Sequence, residues 1–212
     1  KVVAVELDKT LLPILDETMA RFDNFEVVSA DILKTDIPAL VREKFAGLTP
    51  IVCANLPYNV AATIILQFFQ TMPSLVQKEV AERLCAAPGT GAYGAFSVFM
   101  QYYTEPEYLF AVPRECFEPQ PKVTSAVLRA VVRREPPVEV EDEKFFFRVV
   151  YAAFALRRKT LVNSLMTAFG SQLTKEQVTQ AVTSCGLEAN IRGERLGLSE
   201  FAALSAEIAA LL

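Results

Sequence analysis

No histidine occurs anywhere in the 212 residues, which argues against a Ser-His triad, a Cys-His pair and a zinc site. The four cysteines, Cys53, Cys85, Cys116 and Cys185, are scattered without a CxxC spacing. Reduced thiols are the simple expectation, and no metal is expected. No apolar run approaches the roughly 18 residues of a membrane span; the longest candidates are broken by Gln67, Arg148 or Arg157. The opening Lys1-Val2-Val3-Ala4-Val5-Glu6 lacks the long apolar segment and small-residue cleavage site of a secretory signal. A soluble, cytoplasmic protein is therefore expected. Positive charge is also short, with 21 Lys and Arg against 25 Asp and Glu, a net charge of −4. As an average that speaks against a nucleic-acid partner. Arg133-Arg134, Arg157-Arg158-Lys159 and the run from Arg192 to Arg195 are nevertheless local clusters, and one basic face can meet phosphates while acids elsewhere cancel it in the sum.

What is present is enough apolar sequence, 52% of the chain, for one sizeable core and a second smaller unit. Val2 to Val5 reads as a buried strand ending in Glu6, followed by Asp8 and by Leu11, Leu12, Leu15, Met19 and Phe22 at helical spacing. Glu26 to Ser29 reads as a second strand running into Asp31, Ile37 to Phe45 as a helix, and Ile51 to Ala54 as a third strand. Ala61 to Gln70 is apolar most of the way round, as a helix buried on a sheet would be. Leu75 to Val80 is expected as a strand, Ala81 to Ala86 and Ala95 to Tyr103 as helices, and Tyr108 to Val112 with Ser125 to Val132 as an antiparallel pair. Strand and helix alternation of this kind indicates an α/β fold with a mainly parallel sheet. The acidic, proline-broken segment Glu135 to Glu143 has the character of a linker. Beyond it, 144–169, 175–185 and 199–211 carry helical periodicity, with Thr174 and Ser199 as N-caps and Gly170 and Gly186 as terminators. The expected division is therefore 1–134, a linker at 135–143, and a small all-helical domain at 144–212.

Three successive strand ends carry hydrogen-bonding residues: Glu6, Asp31 and Asn55. Ligands of open α/β sheets bind at the carboxyl ends of the strands. An acid there suits a ribose, and a second acid the exocyclic amine of an adenine, so Glu6 and Asp31 are candidates to hold a nucleoside. Ordinary helix N-terminal acids are the competing reading for Glu6 and Asp8. The third strand end, Asn55-Leu56-Pro57-Tyr58, is stiffened by Pro57, which fixes its own φ and biases Leu56 to an extended conformation. Such a bend offers two adjacent acceptors, the Asn55 amide oxygen and the Leu56 carbonyl, beside the Tyr58 ring. That set suits a planar heterocycle with an exocyclic amine. Alternatively, Asn55 caps a helix, Pro57 occupies its first turn and Tyr58 packs inside.

The segments Asn55 to Tyr58, Val76 to Leu84, Tyr93-Gly94, Val112-Pro113, Phe117 to Val127 and Arg157 to Leu161 together closely resemble the ribosomal RNA adenine dimethyltransferase family, in particular the enzymes acting on small-subunit RNA. The resemblance runs across nearly the whole chain. It implies a Rossmann-like class I methyltransferase sheet and a helical RNA-binding domain at 144–212. The activity implied is transfer of methyl groups from S-adenosylmethionine to the N6 of two neighbouring adenosines in a hairpin of small-subunit ribosomal RNA. Glu6, Asp31, Ile32 and Asn55 are then the expected cofactor contacts. Asn55, Leu56, Pro57 and Tyr58 form the expected catalytic loop, with Phe117 stacking on the second face of the target base, although Phe117 alone could equally be a core aromatic. Lys122, Arg157, Arg158 and Lys159 are the expected phosphate contacts, against a merely solvated helix face. A monomer is expected. The glycine-rich turn that lies about 20 residues before such a ribose-binding acid has no counterpart ahead of Glu6, so the intact protein is expected to be longer, or the sheet to close by rearrangement. Methylation of large-subunit RNA or of DNA adenine, and a non-catalytic role in ribosome assembly, are the rival readings.

Overall fold

The computed structural model describes residues 1–48, 54–55, 72–118, 120–156 and 158–212, with only the backbone of 54–55 and 72–77. Two compact units are present, Lys1–Val76 and Gln77–Leu212.

The first unit opens with β1 (Val2–Glu6), α1 (Leu12–Met19), β2 (Phe25–Ser29) and, after a short 3-10 turn at Ile32–Lys34, α2 (Ile37–Lys44). Strands β1 and β2 run parallel, in register from Val2 opposite Phe25 to Glu6 opposite Ser29. Their valines suit a pleated surface, and prolines enter each helix within its first two positions, where a missing N–H costs nothing. The Asp36 carboxylate caps α2 by accepting from the Ala39 N–H at 2.9 Å. Glu26 on β2 is clamped by Lys44 at 2.5 Å and Lys1 at 3.0 Å, and those ammonium groups, Lys44 foremost, hold its carboxyl below the ordinary range. A second parallel pair joins β3 (Ala54–Asn55) to β4 (Met72–Gln77), with Asn55 opposite Leu75. The expected helix at 61–70 and residues 51–53 of the expected third strand lie outside the described residues.

One expectation fails at the seam between strand and helix. The strand anticipated at 75–80 is Met72–Gln77, and Lys78 already begins α3 (Lys78–Leu84). Helical spacing explains the switch: Lys78 reaches Glu82 one turn on at 3.6 Å, while Ala81 and Leu84 point together into the core.

The second unit continues with α4 (Ala95–Tyr103), then β5 (Thr104–Val112) and β6 (Ser125–Val132), which pair antiparallel as expected. β5 starts four residues earlier than its apolar pattern suggests. Its leading Glu105 and Glu107 are on the exposed side, tied to Arg133 at 2.8 Å and Arg129 at 2.5 Å. Four helices complete the unit: α5 (Glu143–Ala153), α6 (Leu161–Phe169), α7 (Lys175–Ser184) and α8 (Leu198–Ala209). Caps set the boundaries. Asp142 accepts from the Lys144 and Phe145 N–H groups, and Thr174 forms a reciprocal pair with Gln177, as its sequence position indicates. Ser199, the expected cap of the last helix, lies inside its first turn; Gly197 is the cap, its N–H donating to Glu200 at 3.0 Å.

These helices enclose one apolar cluster that includes Phe146, Leu161, Leu165, Phe169, Val178, Phe201 and Leu204, and that also takes in Tyr93, Val98 and Tyr102 from before the acidic segment. Each large side chain so buried contributes roughly 1.5–3 kcal/mol relative to exposure. Gly193 permits a close approach of two segments, since a Cβ there would lie 2.6 Å from the Ala153 carbonyl oxygen. Among the described residues no helix is long and apolar enough to cross a membrane.

Candidate functional site

The two acids singled out in the sequence lie at the same end of the β1–β2 pair. Glu6 is the last residue of β1, opposite Ser29, and Asp31 follows β2 by two residues. The ladder continues one step past the strands, with the Ala30 N–H donating to the Glu6 carbonyl at 3.1 Å. Parallel pairing places both carboxylates at the carboxyl edge, where α/β sheets take their ligands.

Local hydrogen bonds orient each acid. The Glu6 Oε1 accepts from the Asp8 N–H at 2.7 Å, and Asp8 in turn accepts from the Thr10 N–H at 2.8 Å and its hydroxyl at 2.7 Å. Those Thr10 bonds, the hydroxyl first, hold the Asp8 carboxyl below its usual range. Glu6 and Asp8 are not helix N-terminal acids: α1 begins at Leu12, its first turn holds no acid, and Leu11 is its cap. The turn from Glu6 to Thr10 is instead a support for the Glu6 carboxylate, whose Oε2 has no donor among the described residues. Sequence reasoning did not single out Thr10, although the Asp-x-Thr spacing is the usual signature of such a turn.

Asp31 caps the 3-10 turn, its Oδ1 accepting from the Leu33 N–H at 3.0 Å, and the Thr35 hydroxyl donates to its carbonyl at 2.8 Å. Among the described residues the other oxygen, Oδ2, faces only the exposed Lys34 ammonium at 3.7 Å, a pairing weak enough for a ligand donor to compete with. Ile32, next in the chain, is half-buried.

Asn55 ends β3, as anticipated, with its backbone paired to Leu75; its carboxamide, and all of Leu56, Pro57 and Tyr58, lie outside the described residues. Phe117 follows a 3-10 turn at Arg114–Cys116 in extended backbone, half-buried, and belongs neither to the apolar cluster nor to the side chains packed against it. Lys122 is exposed in the loop between β5 and β6.

The basic segment between α5 and α6 interrupts what the sequence suggests as continuous helical periodicity. Arg158 takes a left-handed backbone conformation, φ 65°, and Thr160 restarts the helix by accepting from the Asn163 N–H at 3.4 Å. Arg158 and Lys159 are exposed, and neither has a carboxylate partner within ion-pair distance among the described residues. Arg157 lies outside them.

The family model of ribosomal RNA adenine dimethylase matches residues 1–208. A relative named ribosomal RNA small subunit methyltransferase A, from Geobacillus sp. (strain WCH70), is 47% identical over 213 residues, covering 97% of this chain and 73% of the relative. A protein of the same name from Lactococcus lactis subsp. lactis (strain IL1403) is 44% identical over 212 residues, covering 97% of this chain and 72% of the relative. Among solved structures, a dimethyladenosine transferase from Plasmodium falciparum superposes with a TM-score of 0.78 at 19% identity, over 100% of this chain and 82% of that one. The 23S rRNA methyltransferase ErmE gives 0.69 at 22% identity, over 99% and 82%. Those two likenesses show that this chain shares the fold of these two methyltransferases.

Proposed function

Since the chain belongs to the ribosomal RNA adenine dimethylase family, we propose that it transfers methyl groups from S-adenosylmethionine to the N6 atoms of two adjacent adenosines in a hairpin of small-subunit ribosomal RNA. The observation that carries this reading is the placement of Glu6 and Asp31 at neighbouring carboxyl ends of a parallel strand pair, each with an acceptor to spare. The small-subunit substrate is preferred over large-subunit RNA or DNA because the relatives at 44% to 47% identity carry that name.

The residues present fit the adenosine part of the cofactor. Glu6, oriented through Oε1, can accept from a ribose hydroxyl at Oε2. Asp31 can accept from the cofactor's adenine amine, and half-buried Ile32 offers apolar surface to the ring. When bound, S-adenosylmethionine supplies an electrophilic methyl that needs no activation and whose bonding pair stays with sulfur.

The rest of the task is positional. An adenine amine is a poor nucleophile because its lone pair is delocalised into the ring. The Asn55 carboxamide oxygen and the Leu56 carbonyl, held by Pro57, each accept one N6 proton and so favour a pyramidal nitrogen with its lone pair directed outward. Tyr58 and Phe117 stack on the two faces of the unstacked base, each on the order of 1–3 kcal/mol. Alignment of this sort lowers the barrier without a general base, and the ammonium product loses its proton to water. Lys122, Arg157, Arg158 and Lys159 contact the phosphates. By role, residues 1–134 carry catalysis, 135–143 link, and 144–212 bind RNA, in a cytoplasmic monomer that uses no metal.

The test is mass mapping of a small-subunit hairpin after incubation with S-adenosylmethionine. Two adjacent dimethyladenosines are expected; methylation of a large-subunit or DNA substrate alone would replace this reading with its rivals.

A further inference from the structure

The second unit carries a groove of about 1080 Å³ that the methyl-transfer reading does not use, lined by the acidic segment on one side and by α5 and α8 on the other. Every charged residue lining it is an acid: Glu135, Glu139, Glu141 and Asp142, all exposed. Apolar surface from Phe145, Ala202 and Ala206 lies between them. Two hydroxyl-bearing residues complete the lining. Tyr102 is 2% exposed and Ser205 7% exposed, and neither side-chain O–H has a hydrogen-bond partner among the described residues. A buried hydroxyl left unpaired costs about 1–3 kcal/mol, so a pair of them on residues that line one groove marks a place where a polar ligand completes the structure.

We propose that this groove is a docking site for a basic polypeptide segment of a partner protein, with lysine or arginine side chains against the four carboxylates, an apolar side chain on Ala202 and Ala206, and backbone groups meeting the Tyr102 and Ser205 hydroxyls. Charge complementarity selects this occupant. RNA would bring phosphates against carboxylates, whereas a cationic chain is attracted and oriented by them. The source of such a partner rests on the reading above, because proteins that coat RNA carry lysine and arginine to neutralise phosphate.

The experiment is equilibrium binding of a dye-labelled heptapeptide, one leucine flanked by three lysines on each side, to the full chain without RNA or S-adenosylmethionine. Its failure would therefore leave the methyl-transfer reading standing. Saturable binding is expected that weakens as salt rises and is absent for the matching glutamate peptide. Ala206→Trp, which fills the groove without changing charge, should weaken it at least tenfold, as should Glu139→Lys with Glu141→Lys. The control pair Glu176→Lys with Glu188→Lys, equal in charge but away from the groove, should change it less than twofold. No saturable binding, equal loss in both charge-reversed pairs, or indifference to Ala206→Trp would each overturn the assignment.

Discussion

Cys116 sits one residue from Phe117, exposed in the turn after β5, while Cys85 and Cys185 are partly buried. Burial, then the Glu107 charge, pushes the Cys85 thiol up to about 11, and burial likewise raises Cys185. The thiolate is the reactive form. Alkylation at pH 7.5, followed by peptide mass analysis, should therefore label Cys116 well before the other two, and hairpin RNA should slow it if Phe117 stacks on the target base. Labelling of Cys116 indifferent to saturating RNA would remove Phe117 from the site. Arg158 gives a second test, because a left-handed backbone at a residue with a Cβ costs roughly 1–2 kcal/mol. Arg158→Gly should leave the fold as stable or up to about 1 kcal/mol more so, yet weaken RNA binding and reduce the slope of log affinity against log salt by about 0.9. Arg158→Ala should weaken binding equally without the gain. An unchanged slope in both would mean that the arginine only faces water.

Helix ends show how far sequence reasoning reaches at the scale of elements. Thr174 is legible because Thr-x-x-Gln is a capping box, and the structure has it. Thr174→Ala should cost about 1 kcal/mol in urea unfolding, and no change in midpoint would show that α7 is held by packing alone. Asp142 is harder to see, since it belongs to an acidic run that reads as linker, and only its distance from the apolar face of α5 betrays the cap. The end of α5 at Ala153 and the restart of α6 at Leu161 are invisible for another reason: no glycine or proline stands between them, and Arg158 takes an unfavourable left-handed conformation. Lys78 to Val80 read as strand because a short apolar alternation does not distinguish the two periods; the deciding pair, Lys78 with Glu82, is a helical contact.

Across the whole chain, the net charge of −4 conceals local clusters of opposite sign in the second unit. The exposed Arg158 and Lys159, without a carboxylate partner among the described residues, suit phosphates, and the four carboxylates of the groove repel them. A composition average cannot register this separation, whereas local clusters can. The α/β class and the two parallel pairs are legible because strand and helix patterns alternate along the sequence. The orientation of Glu6 is not, since it depends on the Asp8 and Thr10 turn, and the Tyr102 and Ser205 hydroxyls, unpartnered among the described residues, leave no trace in any pattern. The claim on which catalysis depends is that Asn55 acts on the target amine and not on RNA affinity. Single-turnover methyl transfer by Asn55→Ala, measured beside its equilibrium affinity for the hairpin, tests it most directly. The rate should fall at least about 100-fold, the usual loss when one aligned polar partner of a reacting group is removed, with RNA affinity nearly unchanged; a rate within threefold of the parent chain would contradict the account.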